Sequence, residues 1–164
     1  MTDRQLSVAG GLLDRMTTAR RLAAIDLLCS RELPAGPGGS APSGAGTVPL
    51  LVDLTHAPGP ADAPHDGRGP DADHEEQLYA DRDALAVPLT ARFGEPDHLG
   101  LQGVFLRAAE PGEGIPEPWR SISSRAGDAL VWRAPGRWLV LAVTRDGHGG
   151  AARLLAAATD VDPP

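Results

Sequence analysis

All six aromatic residues, Tyr79, Phe93, Phe105, Trp119, Trp132 and Trp138, fall between positions 79 and 138, so the bulky material for a core is concentrated in the second half of the chain. The first 78 residues have to pack with Ala, Leu, Val and Ile. Within the aromatic half, the run from Asp128 to Thr144 reads as two strands around a Pro135-Gly136 turn. A two-residue turn pairs Ala134 with Arg137, Arg133 with Trp138 and Trp132 with Leu139, whereas a three-residue bulged turn would shift this register. Because side chains alternate across a strand, the two indoles face opposite sides of the ribbon. Leu130, Trp132, Leu139 and Leu141 form an apolar face that helices have to cover. On the other side Arg133, if exposed, could lie against Trp138 as a cation–π pair.

The remaining elements are read outward from this ribbon. Thr2 and Gln5 stand at capping-box spacing ahead of Leu6, Ala9, Leu13, Met16 and Arg20, a helical pattern that Gly10 and Gly11 weaken. Residues 21–30 either continue this helix or switch after Thr17-Thr18 to a strand. The strand is preferred, because pairing it with the apolar run Val48 to Thr55 explains why the two runs flank a Gly/Pro-rich loop. A second helix is predicted over 73–93, with Asp73 at its N-cap, Glu76 at N3 and Gly94 closing it. Leu78, Arg82, Leu85, Leu89 and Phe93 trace one face, and Pro88 predicts that the helix bends or restarts near Ala86. Gly100 to Arg107 reads as a strand and Pro111 to Pro118 as extended loop. Ala151 to Ala158 reads as a short last helix after the glycine-rich stretch Asp146 to Gly150.

These elements predict a single α+β domain over residues 1–164, with a small mixed or antiparallel sheet of about five strands packed against helices. Two segments, 33–47 and 57–71, are so rich in Gly, Pro, Ala and Ser that they are expected to be disordered loops, and 159–164 to be a short disordered tail. The order of helices and strands resembles, in outline only, small secretion chaperones and many bacterial immunity proteins. No motif of either group stands in the sequence, and layout alone says little about activity.

Charge narrows the partners. The formal net charge is −7, but it is placed unevenly: Glu32 to Pro118 holds fifteen acids against four Arg, while the flanking segments are each slightly basic. An acidic middle repels nucleic acid and anionic membranes, whose phosphates require clustered cations. The expected partner is another protein with a basic surface. All 15 basic residues are Arg, and neither Lys nor Asn occurs, a bias that suggests GC-rich codons and a high-GC bacterium rather than phosphate recognition. No apolar run approaches a membrane span and no export signal opens the chain, so a cytoplasmic location is expected. Cys29 stands alone in an apolar setting, which suits a small core side chain better than a nucleophile.

The common signatures of hydrolases, phosphate-binding loops, dinucleotide folds and zinc sites are absent. Four weaker arrangements are present. His56, His65, Asp66, Asp71, Asp73, His74, Glu75 and Glu76 mix imidazole and carboxylate, but much of the set lies in a loop that lacks the rigidity a metal site needs. Asp53 with His56 could act as acid and base, yet residues three apart on a strand point to opposite faces. Ser121, Ser123 and Ser124 need a histidine from elsewhere to become nucleophilic. Asp146 to Gly150, ahead of a predicted helix, could bind an anion through free backbone donors, although such connections are routine. No catalytic residue, metal or cofactor is therefore expected. The expected function is a non-enzymatic accessory protein of immunity, chaperone or regulatory type. It would bind its partner through Glu76, Asp81 and Asp83 and through a sheet face near Trp119, Arg133 and Trp138. The alternative is a small-molecule binder or hydrolase with a pocket between the second helix and the sheet. Self-association through the exposed hairpin face is a third possibility.

Overall fold

The computed structural model describes residues 17–34, 49–55, 71–147 and 150–164. The helix expected over 2–16 and most of the two expected loops lie outside these residues. The described chain runs α1 (Thr18–Ser30), β1 (Leu50–Asp53), α2 (Asp71–Phe93), β2 (Asp97–Gly100), α3 (Gln102–Ala108), α4 (Trp119–Ser123), β3 (Asp128–Ala134), β4 (Arg137–Arg145) and β5 (Ala152–Thr159). The five strands form one antiparallel sheet in the order β1-β5-β4-β3-β2, which makes the fold α+β. Among the described residues no helix is long and apolar enough to cross a membrane.

The hairpin has the register its turn demands: Ala134 pairs with Arg137, Arg133 with Trp138 and Trp132 with Leu139. Gly136 takes φ +71°, a conformation that suits glycine and closes the turn after Pro135. Alternation then divides the core in two. On one face Leu130, Trp132, Leu139, Leu141, Leu154 and Ala156 pack beneath Ile25 and Leu28 of α1 and Leu78, Leu85 and Leu89 of α2. On the other, Ala129, Val131, Val140, Ala142 and Ala157 pack beneath Leu101, Val104, Trp119 and Ile122, carried by the segment that holds α3 and α4. With both faces covered, the central strands are apolar on both sides. The helix over 71–93 matches expectation, except that it starts at Asp71 and so places Asp73 and Glu76 inside its first turns; it is continuous through Pro88.

Three expected elements are overturned, each for a local reason. Residues 21–30 are helix, not strand: the Thr17 hydroxyl accepts from Arg20 N at 3.3 Å as an N-cap, and Arg21, Ile25 and Leu28 bury one stripe at intervals of four and three. Val48 to Thr55 does contain a strand, but β1 pairs with β5 instead. The strand expected over 100–107 is displaced to Asp97–Gly100, and α3 follows it. Leu101 and Val104 are buried three residues apart while Phe105 is exposed, a helical pattern; a strand would have put Leu101, Gly103 and Phe105 on one side.

Ala151 to Ala158 is the third. Its composition favours helix, yet β5 pairs along β4 and with β1, and Ala152, Ala156, Ala157 and Ala158 are all buried. Small side chains suit a strand enclosed on both faces, and that packing outweighs intrinsic preference. Asp146 to Gly150 therefore joins two strands and opens no helix, which removes the basis for an anion site there. A Cβ on Gly150 would run into the Asp146 carbonyl, so the close approach requires glycine.

The tail is held as well. Val161 packs against the second core layer and its carbonyl accepts from Trp119 Nε1 at 3.1 Å, while Asp162 accepts from Trp138 Nε1 at 2.9 Å.

Candidate functional site

Trp138 and Arg133 face each other across β3 and β4, on the side of the sheet that α3 and α4 cover. Those helices leave this end of the hairpin open: Trp138 is half-buried and Arg133 exposed. The Arg133 guanidinium lies 4.6 Å from the indole centroid. Asp162 completes the group, accepting from the indole N–H and standing 3.8 Å from Arg133 Nη1. The result is a platform with an aromatic face, a cation and a carboxylate at one corner of the molecule.

Trp119 does not join it. Placed among the expected contact residues, it is instead fully buried in the second core layer, where it anchors the tail through its N–H. Ile122, three residues on, faces the same layer.

The acids of α2 divide into structural and exposed. Asp81 Oδ2 lies 2.8 Å from Nη1 of the buried Arg21, whose Nε donates to the Leu54 carbonyl at 2.9 Å. Asp81 therefore ties α2 to α1 and to the end of β1. Asp83 is exposed and pairs with Arg82 at 3.3 Å; Arg82 also reaches Asp128 at 2.8 Å and lies over the Tyr79 ring. Glu75 pairs with Arg145. Glu76 is exposed. Glu76 and Asp83, seven residues apart, share the outer face of α2, whereas Trp138 lies on the opposite side of the sheet. The structure does not bring the acidic and aromatic halves of the expected surface together.

A groove of about 750 Å³ opens where α1 and α2 end beside the hairpin turn, lined by Asp26, Cys29, Ser30, Arg92, Phe93 and Arg133 to Gly136. Arg92 and Asp26 pair across it. Arg137 donates to the carbonyls of Leu28 and Arg31, a cation at the negative end of α1. Burial pushes the Cys29 thiol up, with Arg92 and Arg137 partly opposing and Asp26 adding to the rise. Protonated thiol is the unreactive form. The interface between α2 and the sheet, where the alternative reading put a pocket, is filled by Leu78, Leu85, Leu89 and Trp132.

The other candidate residues hold the structure. Ser123 and Ser124 donate to the carbonyls of Arg120 and Ser121. His74 Nε2 lies 3.3 Å from the Ala152 carbonyl. His56, His65, Asp66 and His148 fall outside the described residues, and among the described residues no three His, Cys, Asp or Glu converge on a metal-sized site.

Asp53 accepts from Thr55 N at 2.8 Å and pairs with Arg153 at 3.1 Å. Partial burial alone would raise its pKa, but the Thr55 hydrogen bonds and Arg153 together outweigh that and hold it below its ordinary value. A carboxyl depressed by folding stabilises the protein above its unfolded pKa, and that contribution disappears as pH falls through the folded one. Urea midpoints of the wild type and Asp53→Asn should therefore differ most near neutral pH and converge in acid. A difference that grows on acidification contradicts this assignment.

Comparison with known proteins finds no matching family model, no matching curated protein and no matching solved structure.

Proposed function

We propose that this is a non-enzymatic, cytoplasmic accessory protein that binds another protein, and that the Arg133–Trp138 platform is its contact surface. The carrying observation is the guanidinium stacked on a half-exposed indole at the open end of a sheet that is filled on both faces. Arg and Trp are the side chains most often responsible for binding energy at protein interfaces, because they combine large contact area with directed polarity. The stack also holds Arg133 in place before any partner arrives, which lowers the entropy lost on association.

The acidic composition favours a basic partner, although part of the acidity serves internal ion pairs. Immobilised protein at low salt is expected to retain a specific partner, with Trp138→Ala and Arg133→Glu each weakening it by tenfold or more. Equal retention by wild type and both variants sinks the reading. Charge reversal at Glu76 and Asp83 tests separately whether the outer face of α2 contributes. Asp81 is unsuited to that test, since reversal there disrupts α1 as well.

A further inference from the structure

The edge of the sheet at β2 adjoins the platform and combines three features. First, its backbone is open. Leu101 N donates to the Gly127 carbonyl at 2.9 Å, and the β2–β3 register places Leu99 opposite Ala129 and Asp97 opposite Val131. Antiparallel pairs alternate between bonded and non-bonded positions. The backbone groups of Asp97 and Leu99 therefore turn toward β3, and those of His98 and Gly100 turn outward. No strand among the described residues pairs with that side.

Second, α3 begins two residues after β2, lies on the same face as Leu99, and exposes Phe105 (47 %) and Leu106 (58 %). Third, this stretch carries carboxylates without cations. Asp26, Asp53, Glu75, Asp81, Asp83, Asp128, Asp146 and Asp162 each lie in an ion pair, whereas Glu95, Asp97, Glu110, Glu113 and Glu117, like Glu32, Asp73 and Glu76 elsewhere, have none among the described residues. Arg107 is the one Arg between positions 95 and 117.

We infer that β2 accepts an additional strand: an extended, basic segment of the partner protein that pairs with His98 and Gly100, places apolar side chains toward α3 and places cations near Glu95 and Asp97. Main-chain bonds supply affinity in such strand addition, and alternate side chains supply selectivity. A second copy of this chain fits poorly, because two antiparallel β2 edges would bring like-charged carboxylates together. The inference rests on the protein-binding reading and names the class of partner. Val131, opposite Asp97, lies two residues from Arg133 on the same strand, so one partner could reach both the edge and the platform.

A synthetic peptide of alternating Lys and Val tests this against ¹⁵N-labelled full-length protein. The His98 and Gly100 amides are expected to shift and to gain protection from exchange, with affinity falling at least fivefold between about 50 and 300 mM salt. His98→Pro removes an outward donor and no bond to β3, a substitution that sheet edges tolerate; it should keep the sheet by circular dichroism and weaken the peptide tenfold or more. Should that variant lose its sheet, Glu95→Arg with Asp97→Arg decides, with the same loss expected. Unchanged His98 and Gly100 amides at millimolar peptide, equal binding of a Glu/Val peptide, or equal binding by the variants overturns the inference. Such failure leaves the platform untouched, because Trp138→Ala is judged on the captured partner; loss of the platform result leaves the peptide result standing.

Discussion

Trp119→Ala is expected to lower the unfolding free energy by about 3–5 kcal/mol, the range for removing a large buried aromatic side chain. A domain of this kind has only about 5–15 kcal/mol in total, so the variant should sit near the edge of folding. Two losses add. The indole is fully buried among Leu101, Val104, Ile122, Val131 and Val140, and its removal leaves a cavity that α4, a five-residue helix, can only partly close. Its N–H also donates to the Val161 carbonyl, so the tail is released at the same time. Trp119→Phe separates the terms: it retains most of the packing and should cost about 1–2 kcal/mol. Urea denaturation followed by circular dichroism measures both. A cost below about 1 kcal/mol for Trp119→Ala would show that the second layer closes without its anchor.

The second large effect is expected at Arg21 and Asp81. Arg21 is 5 % exposed, with its guanidinium held by the Leu54 carbonyl and the Asp81 carboxylate. Removing one member of a buried pair leaves an uncompensated charge and typically costs about 3–5 kcal/mol, whereas replacing both members is far less harmful. Asp81 retains some solvent contact, so Asp81→Ala should fall at the lower end of that range. The double variant Arg21→Met with Asp81→Ala should recover a large part of the loss and keep a smaller penalty from the undonated Leu54 carbonyl. Additive single and double effects in the cycle would show that the pair does not act as a unit.

The same two sites show what could be read from the sequence. The hairpin was legible, and its register followed from a two-residue rather than a three-residue turn, a local choice that needs nothing from the rest of the chain. Placement of Leu130, Trp132, Leu139 and Leu141 on one face, and of Arg133 against Trp138, followed from it. Leu78, Arg82, Leu85 and Leu89 likewise announced the buried face of α2. What failed depends on distant partners. Ala152 to Ala158 is strand only because β1 and β4 flank it, and Trp119 is buried only because α3, α4 and the tail assemble over it. The platform could be foreseen through Arg133 and Trp138. The β2 edge could not, since misplacing that strand by three residues hid its outward donors. Asp81 looked like surface because its cation lies 60 positions earlier, in a segment expected to be strand.

The sheet order has a consequence for biosynthesis. Strands β3, β4 and β5 are consecutive and can pair as they emerge, but β1 closes on β5, joining Leu50 to Ala158 and Thr55 to Leu154, positions 99 residues apart in the second case. At translation rates of roughly 5–20 residues per second, β1 waits several seconds on the ribosome without its neighbour. Over that interval the apolar run Leu50-Leu-Val52 lacks the strand that covers it in the finished sheet.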